Sequence, residues 1–507
     1  MRLASHIRNL ILATLCVALA DISAAQAEAP EQRYLSPEQV ARDIALAEEV
    51  YERIHPGYTR YATQNEMRVA WQDLQDKANQ NDGLSVGEFY IGSSRVLAQI
   101  RCDHTKAELS EALAETRKTD PVYLPVRWNF VDERGFVSVA KEDSGLQAGD
   151  EILSIDGDSL TSRTDLVRPL IPFDGETSWA HDGQVAQSYE FRGGGLDHFG
   201  AFLFRTDATA QMTVRRGDAA PMTVTVDRIT HPEWRALGAG EVGALNFKDA
   251  IRFERIDNHS AYLAVDTFVN YRTPVNPAEL YDPIFDALQA EGRDTLIVDL
   301  RRNGGGSDDA ALGLLARLIQ SPAPFMRDIR VKTLDHSGPE DFISTWDPRA
   351  LNPDARGFKQ NPDGTYSLLS ALSPSLSELT PRANAFKGQL ILLTSRDNAS
   401  GSTHLLSFIK AQNPDAVLIG ERTGGSAEGA TAGILFTLTL PESGIKMRIP
   451  AMQSFVNTPT FERGLGISPD IKAPMTAAAI LAKEDPALNA AYALIEDMSA
   501  FDTAALK

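Results

Sequence analysis

Gln389-Leu390-Ile391-Leu392-Leu393-Thr394, followed after Ser395 by Arg396-Asp397-Asn398-Ala399-Ser400-Gly401-Ser402-Thr403-His404, is the stretch on which the fold turns. The short, bounded apolar run reads as a buried strand. Leu405, Leu406, Phe408 and Ile409 then recur at the spacing of a helix face that packs back on it. Ser400 therefore sits where a strand hands over to a helix. The first N–H groups of a helix have no acceptor within it and point at whatever anion forms there. Ala399 and Gly401 are small enough for a substrate carbonyl to come close. Serine is also among the commonest helix N-caps, and taken alone the stretch favours that plainer role for Ser400 or Ser402.

Upstream, Thr295-Leu296-Ile297-Val298-Asp299-Leu300 is a second buried-strand run, leading into Arg301-Arg302-Asn303-Gly304-Gly305-Gly306-Ser307. Three successive glycines after a strand let backbone N–H groups approach an oxyanion closely. A nucleotide-phosphate loop is the competitor, but no Gly-Lys-Ser/Thr follows, and the next helix opens with Asp308-Asp309, which would repel phosphate. Ala261 to Val265 and Ala416 to Gly420 add strands and Pro277 to Ala290 a helix, an alternation that marks an α/β domain. The loop Glu421 to Ser426, strands around Ile434 to Leu440 and Lys446 to Ile449, and the segment Thr460 to Ile471 close it, before a helix from Met475 onward. Pro322 to Lys387 is irregular and long for a loop, so it is expected to carry short strands of its own or to cover the site.

Toward the N-terminus the pattern is helical from Ser36 to about Arg117, beginning with Ser36-Pro37-Glu38 as an N-cap with Pro at the first helical position. Within it, Asp103 stands beside His104, in itself weak evidence of a site. Alternation then takes over in Phe136 to Ala140. Gly145-Leu146, Gly149-Asp150, Ile152, Ile155 and Gly157 follow, with Asp156-Gly157 as a hairpin turn. This spacing resembles the signature of PDZ domains, which take up an extended peptide as an added strand. The carboxylate-binding loop of that fold is not recognisable before Phe136, and the last strands, Gln211 to Arg215 and Met222 to Val226, come after an insertion.

At 507 residues the chain needs two to four domains, and 43% apolar with 23% charged residues is the composition of a globular protein. A net charge of −20 argues against nucleic acid or an anionic membrane surface as partner, since their phosphates would be repelled. Arg2 and Arg8, the apolar stretch Leu10 to Ala20, and Ala25-Gln26-Ala27 have the anatomy of an export signal cleaved after Ala27. The apolar stretch is too short for a stable membrane span. Cleavage would remove Cys16 and leave Cys102 as the one thiol, so no intramolecular disulfide is expected.

Together, "IVDLRRNGGGS", "TSRDNASGSTHLLSFI", "LIGERTGGSAEG" and "FERGLGISPDI" resemble the catalytic domain of the C-terminal-processing, or tail-specific, serine peptidases over about 240–473, with the PDZ-like unit ahead of it as in that family. The resemblance implies a crotonase- and Clp-protease-like catalytic fold with Ser400 as nucleophile. The bacterial processing branch takes a lysine base from "T-x-G-K-G". Here Ser426 follows Thr423-Gly424-Gly425, and no lysine lies between Lys410 and Lys446. The tricorn-core-like branch instead uses an upstream histidine and a distant glutamate. It implies His104 as base, although Cys102 and Asp103 stand where Asp and Gly are usual, and Glu462 as the residue that orients it. Gly401, with Gly305 or Gly306, would line the oxyanion hole. His404, one turn into the helix, is the rival base.

The expectation is thus an α/β multidomain protein: signal peptide 1–27, N-terminal helical region 28–120, PDZ-like β-rich domain with insertion 121–232, catalytic domain 233–476 and C-terminal helix 477–507. Its expected function is that of an exported serine peptidase, periplasmic or secreted, acting on protein or peptide substrates without a cofactor or metal. A catalytically inactive relative that binds peptides through the PDZ-like unit is the alternative. A crotonase-like acyl-CoA enzyme is a third possibility, but it would need neither a nucleophilic serine nor an export signal.

Overall fold

The computed structural model describes residues 32–188, 191–204, 206–238 and 245–505. The expected signal peptide, its cleavage site and Cys16 lie outside these residues. Three helices, Pro37–Ile54, Gln64–Gln80 and Val86–Ala98, open the described chain. Each starts with a reciprocal capping box, Ser36 with Gln39, Thr63 with Glu66 and Ser85 with Glu88, which satisfies N–H groups that the helix itself leaves unpaired. Their apolar faces, among them Val50, Trp71 and Phe89, share one core with the β-rich unit that follows.

That unit is an antiparallel sheet of Val126–Val131, Arg134–Ala140, Asp150–Ile155, Thr209–Arg216 and Met222–Asp227 in that spatial order. Asp156 and Gly157 both take positive φ, 52° and 90°, the conformation a two-residue hairpin turn requires, and Ile155 pairs with Asp158 across it. The insertion between the third and fourth long strands folds as the helices Leu160–Val167, His181–Ala186 and Gly195–Leu203.

The α/β domain is built on a six-stranded sheet: β1 (Ile251–Arg255), β2 (Ser260–Val265), β3 (Thr295–Asp299), β4 (Gln389–Thr394), β5 (Val417–Gly420) and β6 (Ile471–Lys472), in that order. β1 is antiparallel to β2 and the remaining pairs are parallel. Successive side chains of a strand point to opposite faces. Leu296, Val298, Leu390 and Leu392 accordingly meet the helix residues Phe285, Leu315, Leu405 and Phe408 on one side. Ile297, Ile391, Leu393 and Ile419 meet Ala487, Ala491 and Ile495 on the other. A sheet covered on both faces explains why β3 and β4 read as continuous apolar runs. The expected C-terminal helix is two helices, Ala477–Ala482 and Pro486–Ala505, broken at Lys483, whose φ is 57°.

A second sheet joins Thr431–Thr439 and Lys446–Val456 to short strands from the irregular segment, Met326–Val331, Ile343–Thr345, Phe358–Gln360 and Tyr366–Leu368. Lys106–Glu108 also pairs with it, against Lys446–Arg448. The segment just after His104 is thereby stitched to the domain that carries Ser400.

Candidate active site

β4 ends at Thr394, and the helix Ser400–Gln412 starts six residues later. Ala399 occupies the N-cap position and makes no side-chain capping bond, so the plainer role for Ser400 falls away. Ser400 instead adopts φ 47°, a left-handed conformation that a non-glycine residue holds only when its surroundings over-determine it, at a cost of about 1–3 kcal/mol. Two glycine loops close on this turn. A Cβ on Gly305 would lie 2.9 Å from both the Gly401 nitrogen and Ser400 Cβ, and one on Gly425 would lie 3.1 Å from the Ser400 nitrogen.

The residue that holds the turn is Asn398, which sequence reasoning passed over. Fully buried, it donates from Nδ2 to the carbonyls of Leu300 (2.6 Å) and Asn303 (3.1 Å) and to Ser402 Oγ (2.8 Å). Its Oδ1 accepts from the Ser395 N–H at 2.8 Å, and its carbonyl accepts from Gly425 N–H (2.8 Å) and Thr403 Oγ1 (3.0 Å). One side chain thus ties the serine turn to the triple-glycine loop. Asn398→Ala would orphan several buried polar groups, and we expect it to cost about 2–4 kcal/mol in urea unfolding. The same pattern disposes of Ser402 as nucleophile: it is fully buried and occupied by Asn398.

In the triple-glycine loop the Gly305 N–H is committed to Asn303 Oδ1 at 2.9 Å, while the Gly305 carbonyl accepts from Phe268 N–H, also at 2.9 Å. Of the two glycines offered by the sequence, Gly306 is therefore the one left to donate. It and Gly401 border one cleft of about 2040 Å³, which Ser400, His104 and Asp103 also line. Trp346 and Leu372, from the irregular segment, form part of its wall, so that segment both carries strands and covers the site. Among the described residues no lysine lines the cleft.

His104 Nδ1 is in contact with Asp103 Oδ1. Burial pulls the His104 pKa down, but the charge of Asp103 and hydrogen bonding to Asp103 and Cys102 outweigh it and raise the pKa well above the ordinary 6.5. His404 is different: buried, with Nε2 accepting the Ala430 N–H at 3.0 Å, it is pushed down to about 3 by desolvation and stays neutral. Its lone pair on Nε2 is already spent. Among the described residues no hydrogen bond joins Ser400 to His104, although both face the cleft.

The structure does not bring Glu462 to His104. The Glu462 side chain is 68% exposed and paired with Arg422, whose guanidinium also donates to the Gly466 carbonyl at 2.8 Å and lies over Trp179. Asp103 stands against the histidine instead. Glu462 is assigned to the histidine by resemblance alone, whereas Asp103 reaches it as its neighbour in the chain.

Residues 259–473 match the family model for peptidase family S41. This stretch is a peptidase family S41 domain. Two solved structures share this chain's overall fold: mature CPAF complexed with lactacystin, with TM-score 0.62 and 14% identity over 88% of this chain and 96% of that one, and mature CPAF, with TM-score 0.61 and 14% identity over 88% and 94%. No curated protein matches the chain. Among the described residues, no helix is long and apolar enough to cross a membrane.

Proposed function

We propose that this protein is an exported serine peptidase of family S41 that cleaves peptide bonds in protein or peptide substrates, with Ser400 as nucleophile and His104 as general base. The observation that carries this is Ser400 itself, held at φ 47° at the start of a helix, beside glycine N–H groups and in the same cleft as a histidine. Asp103 on Nδ1 fixes the ring so that Nε2 is left to take the Ser400 proton, the role an acid plays in a catalytic triad. Closing on substrate has to bring the two side chains within hydrogen-bond reach, as is common where the free enzyme holds them apart. The alkoxide that develops on the substrate carbonyl would be met by the N–H groups of Gly401 and Gly306.

Gly305→Ala tests the oxyanion geometry. The added Cβ cannot fit against Ser400 and Gly401 without moving one donor, and φ at this position is 107°. Loss of one donor predicts a fall of about 100-fold in kcat with a smaller change in KM, read by peptide hydrolysis.

A serine-directed phosphonate, followed by peptide mapping, tests the reading as a whole: the adduct is expected on Ser400. Absence of both adduct and turnover, with peptide still bound, would establish the inactive peptide-binding alternative. Export rests on the pattern of residues 1–27, and the N-terminus of the exported chain is expected to be Glu28.

A further inference from the structure

Cys102, Asp103, His104 and Asp174 bring a thiol sulfur, an imidazole nitrogen and two carboxylate oxygens within 4.8 Å of one another. Cys102 and Asp174 are only 3% and 4% exposed, while Asp103 and His104 face the cleft, so an ion has one side from which to enter. Asp174 Oδ1 accepts the Asp103 N–H at 3.2 Å, while among the described residues Asp174 Oδ2 accepts no hydrogen bond. Asp103 Oδ1 and His104 Nδ1 touch each other and make no further hydrogen bond. A buried carboxyl oxygen that accepts no hydrogen bond and faces a second carboxyl leaves a ligand position that a cation would fill.

The donor set selects the cation. Magnesium and calcium take oxygen ligands, whereas one sulfur, one imidazole nitrogen and two carboxylates suit zinc in tetrahedral coordination. Donors around a four-coordinate zinc stand about 3.3–3.8 Å apart, so the widest separations have to close by about 1 Å while the touching Asp103 and His104 donors move apart. The two loops that carry it are already joined, Gly175 N–H donating to the Arg101 carbonyl at 2.9 Å, which leaves the contraction to side chains.

We propose that these four residues form a zinc site whose occupancy switches the peptidase off, an inference that rests on His104 being the base. Cys102 now donates its thiol hydrogen to the Thr431 carbonyl at 3.3 Å; when the sulfur binds as thiolate that proton leaves to solvent, together with the one His104 sheds to bind as a neutral imidazole. A neutral imidazole has one lone pair and one N–H. Once either nitrogen holds zinc, the other keeps the proton and none of the ring can accept the one from Ser400.

The purified full chain, stripped with EDTA, is titrated with Zn²⁺ while peptide hydrolysis is followed, and separately with Co²⁺ while its absorption spectrum is recorded. Expected are a fall of at least tenfold in kcat/KM at saturating Zn²⁺, reversed by EDTA, and a thiolate-to-cobalt charge-transfer band. Cys102→Ser should lose the band, and Asp174→Asn should weaken zinc inhibition at least tenfold in concentration, each compared with its own metal-free rate. Absence of the band in the wild-type chain, or equal zinc inhibition in both variants, overturns the site. A chain that shows the band but no turnover without metal keeps the site and sinks the reading of His104 as base. If Cys102→Ser does not fold, the cobalt spectrum and zinc titration of Asp174→Asn decide alone.

Discussion

Ser400→Ala is expected to lower kcat/KM toward an unfolded protein substrate by about four orders of magnitude or more, with an unchanged thermal melt. The change removes one hydroxyl and keeps the Cβ, so the strained turn at φ 47° and its Asn398 contacts persist. Substrate should still bind. Ser402→Ala should behave in the opposite way, losing stability because Asn398 Nδ2 loses a buried acceptor, while the remaining folded enzyme still turns over. An active Ser400→Ala beside a folded but inactive Ser402→Ala would show that the nucleophile has been misplaced.

His104→Ala is the second large effect: nearly all activity should go, and the acidic limb of the pH profile with it. A histidine base works only when neutral. Because Asp103 holds the His104 pKa well above 6.5, kcat/KM measured in EDTA should still be rising through neutral pH and fall as pH drops through that raised value. Asp103→Asn removes the charge that favours imidazolium, so the limb should move to lower pH. Glu462→Gln should leave it in place, since Glu462 is paired with Arg422 on the surface. Movement of the limb in Glu462→Gln, with none in Asp103→Asn, would restore the glutamate to the role that resemblance gave it. Wild-type turnover with the same limb in His104→Ala would remove the base assignment altogether.

The parts of this fold legible in the sequence are those that local physics decides. β3 and β4 announced themselves as apolar runs because both faces of the sheet are covered, and Asp156-Gly157 because few dipeptides suit a turn with two positive φ angles. The serine and the triple glycine stood out because each follows a buried-strand run at a turn where small residues leave backbone N–H groups open to a ligand. What stayed hidden is set by contacts distant in the chain. Asn398 looks like any loop asparagine until its three donor contacts to Leu300, Asn303 and Ser402 are seen. Nothing in the sequence near His104 shows that Asp174 lies beneath it, nor that Gly305 spends its N–H on Asn303.

The short pairing of Lys106–Glu108 with Lys446–Arg448, reinforced by Arg448 on Glu108, joins residues 340 apart in the chain. Synthesis runs from the N-terminus, so the histidine emerges long before the serine, and the strand that fixes its position emerges after both. Closing so long a loop brings no stability until its last strand exists. A nascent chain stopped between Ser400 and that strand carries both residues of the proposed pair but not the strand that fixes them, and one stopped earlier lacks Ser400 itself. On the proposed assignment of Ser400 and His104, cutting activity would be a late property of the molecule, acquired only after the strand Lys446–Val456 has been made.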